Sequence, residues 1–473
     1  MTVSPRRADA LDALRGLAIL LMVLSGSIHF ANHLPAWMYH AQVPPPDFKF
    51  IPALPGITWV DLVFPFFLFA MGAAFPFGLT KKIESGIADW KIIVQVVQRG
   101  LVLVAFAIFL QHTKPFLFSA DPQTADWFIG LLSFGIMFLV LVRFPNSVKP
   151  VMAYGLKAAG VVAAAAVLAL LRFPDGTGFL LTRSDIIIIV LANVALFGSL
   201  IWIYTRENIL LRLGILGILI ALRLTQNIEG SWNQMMWTFS PFPWMYKLYY
   251  LQYLFIVIPG SIVGDLIYRW ITSEKNETKE SASFSDSQML VLFIVMSSVV
   301  VATVAGLFMR TINVTIVTDL FLLSAAWYLL SRGKSSTEQL FRSIFQWGTF
   351  WLILGFFFEA YEGGIKKDHP TMSYYFVTTG LAHFTYIAFS VVTDHFRRSQ
   401  WLGLLIDNGR NPMIAYVAGS VVVLPLLSLT GISEYLNMLT VNPWLGFIKG
   451  VIFTMLVALT ASVFSKKGLY WRT

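Results

Sequence analysis

The apolar positions of this chain fall in long blocks rather than in the alternating or every-third-residue patterns of soluble elements. Leu17–Leu24, Leu101–Leu110, Val161–Leu171, Ile186–Val194 and Val291–Val301 contain almost no charge. Runs that extend to about 20 residues match what a hydrocarbon layer of about 30 Å demands of a helix. They are too continuous for the alternating ten-residue strands of a barrel. Backbone amides in lipid must bond within their own segment, so the pattern predicts an all-α, polytopic transmembrane helical bundle. The spans fall near 11–30, 57–79, 91–112, 125–142, 150–171, 185–204, 208–224, 248–268, 288–308, 313–331, 343–361, 373–393, 412–430 and 444–464. That is about 12–14 spans, with 208–224 and 412–430 the least clearly marked.

The polar intervals alternate in basic content. One set holds Arg6, Arg7, Lys81, Lys82, Arg143, Lys149, Arg206, Lys275, Lys279, Arg332, Lys334, Arg397, Arg398, Lys466 and Lys467. The other is poorer in Lys and Arg and richer in Trp, Pro, Tyr and His. The positive-inside rule places the first set and both termini in the cytoplasm, which implies an even number of spans. Asp12 and Arg15 interrupt the first apolar run, and no small-residue cleavage site follows, so it reads as a retained helix rather than a signal peptide. Residues 272–287, rich in Ser, Glu and Lys, read as a cytoplasmic linker. They would separate an N-terminal half, 1–271, from a C-terminal half, 288–473.

Composition narrows the chemistry. Hydrophobic residues make up 57% of the chain and charged residues 12%, half the share of a soluble domain at about 25%. The net charge of +9 is the orientation signal rather than a nucleic-acid footprint. With no cysteine, disulfides, thiolate metal sites and thiol relays are excluded. His29 and His33 are four apart, but no glutamate follows the first and no third ligand is evident, so no metal site is expected. Gly363-Gly364 reads as a turn, and no Walker loop or dinucleotide fingerprint occurs.

Three segments of the second set stand out. Residues 27–58 hold His29, His33 and His40, three of only seven histidines, with Trp37, Tyr39 and a stiffening series of prolines. A loop of this length is often functional. Next comes Thr58-Trp59-Val60-Asp61-Leu62-Val63-Phe64-Pro65, where Asp61 is the only charge between Lys49 and Lys81. It reads either as a helix N-terminal charge or as a partner that orients a histidine. The third runs from Glu359 through Asp368 and His369 into Thr371–Gly380, and reads either as a solvated turn or as a polar rim. His383 follows inside a span, where structural hydrogen bonding is the plain explanation.

Leu11-Asp12-Ala13-Leu14-Arg15-Gly16-Leu17-Ala18, the His40 loop and the block Asp61–Gly72, which opens Asp61-Leu62-Val63-Phe64-Pro65, occur in an order that resembles the heparan-α-glucosaminide N-acetyltransferase family of transmembrane acyltransferases. Similar blocks follow at Pro259–Asp265, Ser373–Gly380, Gly409-Arg410-Asn411-Pro412 and Gly468–Trp471. The resemblance implies transfer of acetyl from cytoplasmic acetyl-CoA to an amino sugar or glycan across the membrane. It implies His40 as the catalytic histidine and Asp61 as its acidic partner. Arg15, Arg99, Arg410 and Asn411 are then candidates for CoA, and Trp37, Tyr39, Trp59, Asp368 and His369 for the acceptor. His40 would accept the acceptor's proton or carry the acetyl itself, and Asp61 would orient the ring. His29 and His33 are rivals for the base. Acetyl-CoA is expected as co-substrate with no metal. The expected partners are the glycan acceptor and membrane lipids, with no nucleic acid, and a homodimer is compatible with the reading. The expected location is a prokaryotic plasma membrane. The alternatives are a sugar O-acyltransferase, a sugar or lipid-linked-glycan transporter lined by His383, Asn193 and Asp319, or a non-catalytic scaffold.

Overall fold

The computed structural model describes residues 8–28, 33–145, 147–273 and 284–472. His29 and most of the expected linker, 274–283, lie outside the described residues. Twenty α-helices run among them: α1 (Asp9–Ser27), α2 (Trp59–Ala73), α3 (Phe75–Glu84), α4 (Asp89–Thr113), α5 (Pro115–Phe118), α6 (Thr124–Leu141), α7 (Pro150–Leu170), α8 (Ile186–Thr205), α9 (Ile209–Thr225), α10 (Trp232–Thr238), α11 (Leu254–Ser273), α12 (Asp286–Phe308), α13 (Ile312–Leu330), α14 (Ser336–Glu359), α15 (Met372–Ser390), α16 (Gly403–Arg410), α17 (Pro412–Ala418), α18 (Leu424–Leu429), α19 (Ile432–Met438) and α20 (Pro443–Lys466). The protein is a polytopic helical bundle, as the block pattern predicts.

Thirteen helical stretches among the described residues are long and apolar enough to cross a membrane. The fourteenth expected span, 208–224, is α9, a 17-residue helix just short of that length. Its arginine near the start has a structural explanation. Arg212 is fully buried, and its guanidinium donates to the Thr205 hydroxyl at 3.1 Å and to the Thr205 carbonyl at 3.1 Å, satisfying the end of α8. Asn193 donates its amide to the Ile189 and Met245 carbonyls, each at 2.8 Å, and Asp319 accepts from the Thr303 hydroxyl at 2.8 Å.

The chain divides into two compact units, each assembled from separate stretches. The first comprises Met1–Ser25, His33–Lys81 and Phe255–Gly409, and the second Gly26–Asn32, Lys82–Leu254 and Arg410–Thr473. The first unit contains a seam of small residues between α2 and α11. A Cβ on Gly72 would lie 2.0 Å from the Val257 carbonyl oxygen, and Cβ atoms on Gly260 and Gly264 would lie 2.3 Å and 2.4 Å from those of Phe69 and Ala73. Between helices in lipid, close backbone approach and van der Waals packing replace the hydrophobic drive available in water. Two of the blocks carrying the resemblance therefore face each other along this seam. Beside this seam, Gly16 and Gly409 bring α1 against α16, and Arg15 closes the contact. Its guanidinium donates to Asp12 Oδ1 at 3.1 Å and to the carbonyls of Gly409 and Ala70 at 3.0 Å and 3.2 Å.

In the second unit, the chain end returns to its helices. Arg143 N–H donates to the Tyr470 carbonyl at 2.9 Å. Asn411, fully buried, donates to the Leu469 carbonyl at 2.8 Å and accepts from the Trp471 N–H at 3.2 Å. The last two resemblance blocks thus meet through one side chain.

Candidate active site

The site is built at the start of α2, within the first unit. Thr58 is the N-cap, and Asp61 completes a reciprocal capping box: Asp61 Oδ2 accepts from Thr58 N–H at 2.8 Å, and the Thr58 hydroxyl accepts from Val60 N–H. Such a cap contributes about 1 kcal/mol. It occupies only one carboxylate oxygen. The other, Oδ1, lies 2.6 Å from His40 Nδ1. Both readings of Asp61 left open by the sequence are therefore realised at once, one on each oxygen. Asp61 is fully buried, whereas the His40 side chain is 34% exposed.

Pro65 makes a further demand. It has no N–H, so the Asp61 carbonyl one turn earlier has no donor within α2. The buried Tyr374 hydroxyl on α15 donates to that carbonyl at 2.8 Å. The Asp-Leu-Val-Phe-Pro block thus needs a partner from a helix more than 300 positions away.

The loop carrying His40 is tied down on both sides of the ring. The Thr58 hydroxyl donates to the Tyr39 carbonyl at 2.7 Å, and Gln42 donates to the Leu54 and Gly56 carbonyls at 3.0 Å and 3.3 Å. Ile51 N–H donates to the Gln42 carbonyl at 2.8 Å. Tyr39 packs edge-on against Phe48, with ring centroids 4.9 Å apart, and is buried. Trp37 is 48% exposed beside it, and Trp59 is half-buried. Of these three aromatic acceptor candidates, Trp37 offers a free face and Tyr39 serves the loop.

A second loop, between α14 and α15, contributes a group not singled out from the sequence. Lys367 Nζ lies 3.1 Å from His40 Nε2 and 3.3 Å from His40 Nδ1. An atom nearly equidistant from the two nitrogens that flank Cε1 lies along neither lone-pair direction. The amine therefore sits over that edge of the ring. With the Asp61 carboxylate accepting from Nδ1–H, the ring's free lone pair lies on Nε2. Asp368 lies beside Lys367, with Oδ2 4.0 Å from Nζ, and His369 is exposed.

This second loop is also fixed. Gly56 N–H donates to the Ile365 carbonyl at 2.7 Å, Thr371 N–H donates to the Lys366 carbonyl at 3.1 Å, and Glu362 caps α15 through Met372 N–H. Arg310 and Glu359 form an ion pair beneath it. Gly364 has φ +93°, and a Cβ there would lie 2.6 Å from Pro55 Cβ, so only glycine lets the two loops meet. A signal for Lys367 exists in the sequence: Lys366-Lys367 is a basic pair within the set of loops otherwise poor in lysine.

His33 stacks near Phe48 at 5.7 Å, on the loop but outside the Asp61 pair. Of the candidates for CoA, Arg15 is engaged at the α1–α16 contact, Arg99 is exposed on α4, and Arg410 and Asn411 lie at the α16–α17 junction. Among the described residues there is no cluster of three or more side chains able to hold a metal ion.

Fold and site together define an integral membrane protein with a fixed carboxylate–histidine pair at one end of a helical unit. The chain belongs to the family described as Domain of unknown function (DUF5009), whose model matches residues 7–267, more than half of the sequence. It is also distantly related to the heparan-alpha-glucosaminide N-acetyltransferase of Homo sapiens, with 24% identity over 110 residues. That match covers 23% of this chain and 14% of the human protein.

Proposed function

We propose that the protein is a membrane acetyltransferase that moves acetyl from acetyl-CoA to an amino sugar or glycan, with His40 as the base. The observation that carries this reading is the His40–Asp61 pair. A buried carboxylate holds Nδ1, and the partly exposed ring presents Nε2 beside a primary amine. In the reaction, Nε2 takes a proton from the acceptor amine as nitrogen attacks the thioester carbonyl. Asp61 stabilises the imidazolium that forms. The proton then passes to the departing thiolate. On this reading the basic loops are cytoplasmic and the His40 loop is external.

Unpartnered polar atoms inside the first unit support an extended donor reaching toward His40. Thr379 Oγ1 and His383 Nε2, both on α15 and fully buried, have no hydrogen-bond partner among the described residues. An unpaired buried polar atom costs about 1–3 kcal/mol, and the amides of a pantetheine arm would satisfy such atoms.

The test is transfer of radiolabelled acetyl from acetyl-CoA to glucosamine and a small panel of glucosaminides and hydroxyl acceptors, in detergent. Wild type is expected to label amine acceptors and His40→Ala to lose that activity. Equal labelling by both proteins would remove His40 from its role. Labelling of hydroxyl acceptors alone would make the protein a sugar O-acyltransferase.

A further inference from the structure

Lys367 stands where an acceptor must stand. A substrate amine attacking a thioester under control of His40 has to bring its nitrogen within hydrogen-bond reach of Nε2. Lys367 Nζ is already at 3.1 Å. Its four-carbon stem is flexible, and a small rotation carries the nitrogen from above the ring edge into the plane of the Nε2 lone pair. The neighbouring lysine is differently placed: Lys366 Nζ donates to the Glu362 carbonyl at 2.7 Å. The Lys367 side chain is 21% exposed, so the amine is open to a reagent entering the site.

We propose that Lys367 is an internal acetyl acceptor, modified on Nζ by the protein's own chemistry when acetyl-CoA is present and no external amine is. The proposal rests on the acetyltransferase reading and assigns that site its own modification. His40 Nε2 removes one proton from the lysine ammonium, and the freed amine attacks the thioester carbonyl. A C–N bond forms and the C–S bond breaks. The CoA thiolate leaves and takes the proton held by His40, and the second amine proton is released to water. The products are Nζ-acetyl-lysine and CoA thiol, with no oxidant or reductant needed. Once acetylated, Lys367 has lost its positive charge and extends further over the ring. The modification therefore removes a cation from beside His40 and fills the acceptor position, which turns the site off until a fresh chain replaces it.

The experiment uses the full-length protein in detergent and acetyl-CoA carrying an isotopically labelled acetyl group. Peptide mass spectrometry reads occupancy at Lys367 and, within the same peptides, at Lys366. Lys367 is expected to be labelled at least about ten-fold more than Lys366, and glucosamine added with the acetyl-CoA is expected to suppress that label. His40→Gln is expected to reduce it at least about ten-fold. Because the competition arm uses wild type only, a misfolded variant leaves the test intact. Equal label at the two lysines, or label at Lys367 that ignores glucosamine, would mean chemical acetylation and overturn the proposal. Acetylated glucosamine with unlabelled Lys367 would overturn it while leaving the transferase reading in place. No label on either would sink both.

Discussion

Each of the two units contains a buried aspartate that meets a basic residue, and the two arrangements differ in what is left over. In the second unit, Asp185 accepts from Lys114 at 2.8 Å, from the Tyr416 hydroxyl at 3.0 Å on each oxygen, and from Ile187 and Ile188 N–H at the start of α8. Four donor groups converge on that carboxylate, and Lys114 donates to Gln111 Oε1 as well, at 3.1 Å. In the first unit, Asp61 gives one oxygen to the helix cap and the other to a ring whose second nitrogen lies 3.1 Å from Lys367 Nζ. A carboxylate that terminates a network stabilises a fold. On the proposed reading, a carboxylate that acts through an imidazole prepares a reaction.

The sharpest way to break that contrast is to neutralise each aspartate. Asp61→Asn is expected to lower acetyl transfer on the order of 10²–10⁴-fold, because the ring loses its orientation and the imidazolium its counter-charge. Single-turnover transfer to glucosamine measures it, and near-wild-type turnover would mean that Asp61 is only a helix cap. Asp185→Asn is expected to leave transfer per folded molecule unchanged and to cost about 1–3 kcal/mol of stability, seen as a lower melting temperature in detergent. A loss of turnover without a loss of stability would place the second cluster in the chemistry. Tyr416→Phe removes one donor from the same carboxylate and is expected to cost about 0.5–1.5 kcal/mol in the same melting measurement, again without kinetic effect. The smallest effect is at the rim. Trp37→Ala removes an exposed stacking face worth about 0.5–1.5 kcal/mol, and so is expected to raise KM for a glucosaminide several-fold with kcat unchanged. A fall in kcat instead would show that Trp37 shapes the loop rather than the acceptor.

Much of this was legible in the sequence because lipid imposes strict rules. Apolar blocks and loop charges yielded the bundle and nearly all spans. The uncertain span at 208–224 proved to be the short α9, whose Arg212 serves the preceding helix. Asp61 stood out as a lone charge at a helix start, and the resemblance pointed to His40 among the histidines of a proline-stiffened loop; the structure pairs the two side chains. Lys367 was marked only as half of a basic pair, and its place beside His40 depends on how two loops far apart in the sequence meet at Gly364. No local pattern encodes that meeting. The double use of Asp61 was also hidden, since a capping box and a histidine partner have the same sequence signature.

Pro65 has a consequence for how this chain can change over generations. By withholding an amide from the Asp61 carbonyl, it makes the Tyr374 hydroxyl necessary, and the two residues become a linked pair. Tyr374→Phe alone is expected to be costly. Pro65→Ala restores an intrahelical donor, so in that background the same tyrosine substitution is expected to be tolerated, and a double-mutant cycle would measure the difference as a coupling energy. A chain that keeps the proline is therefore expected to need the tyrosine, and one that has lost it is not.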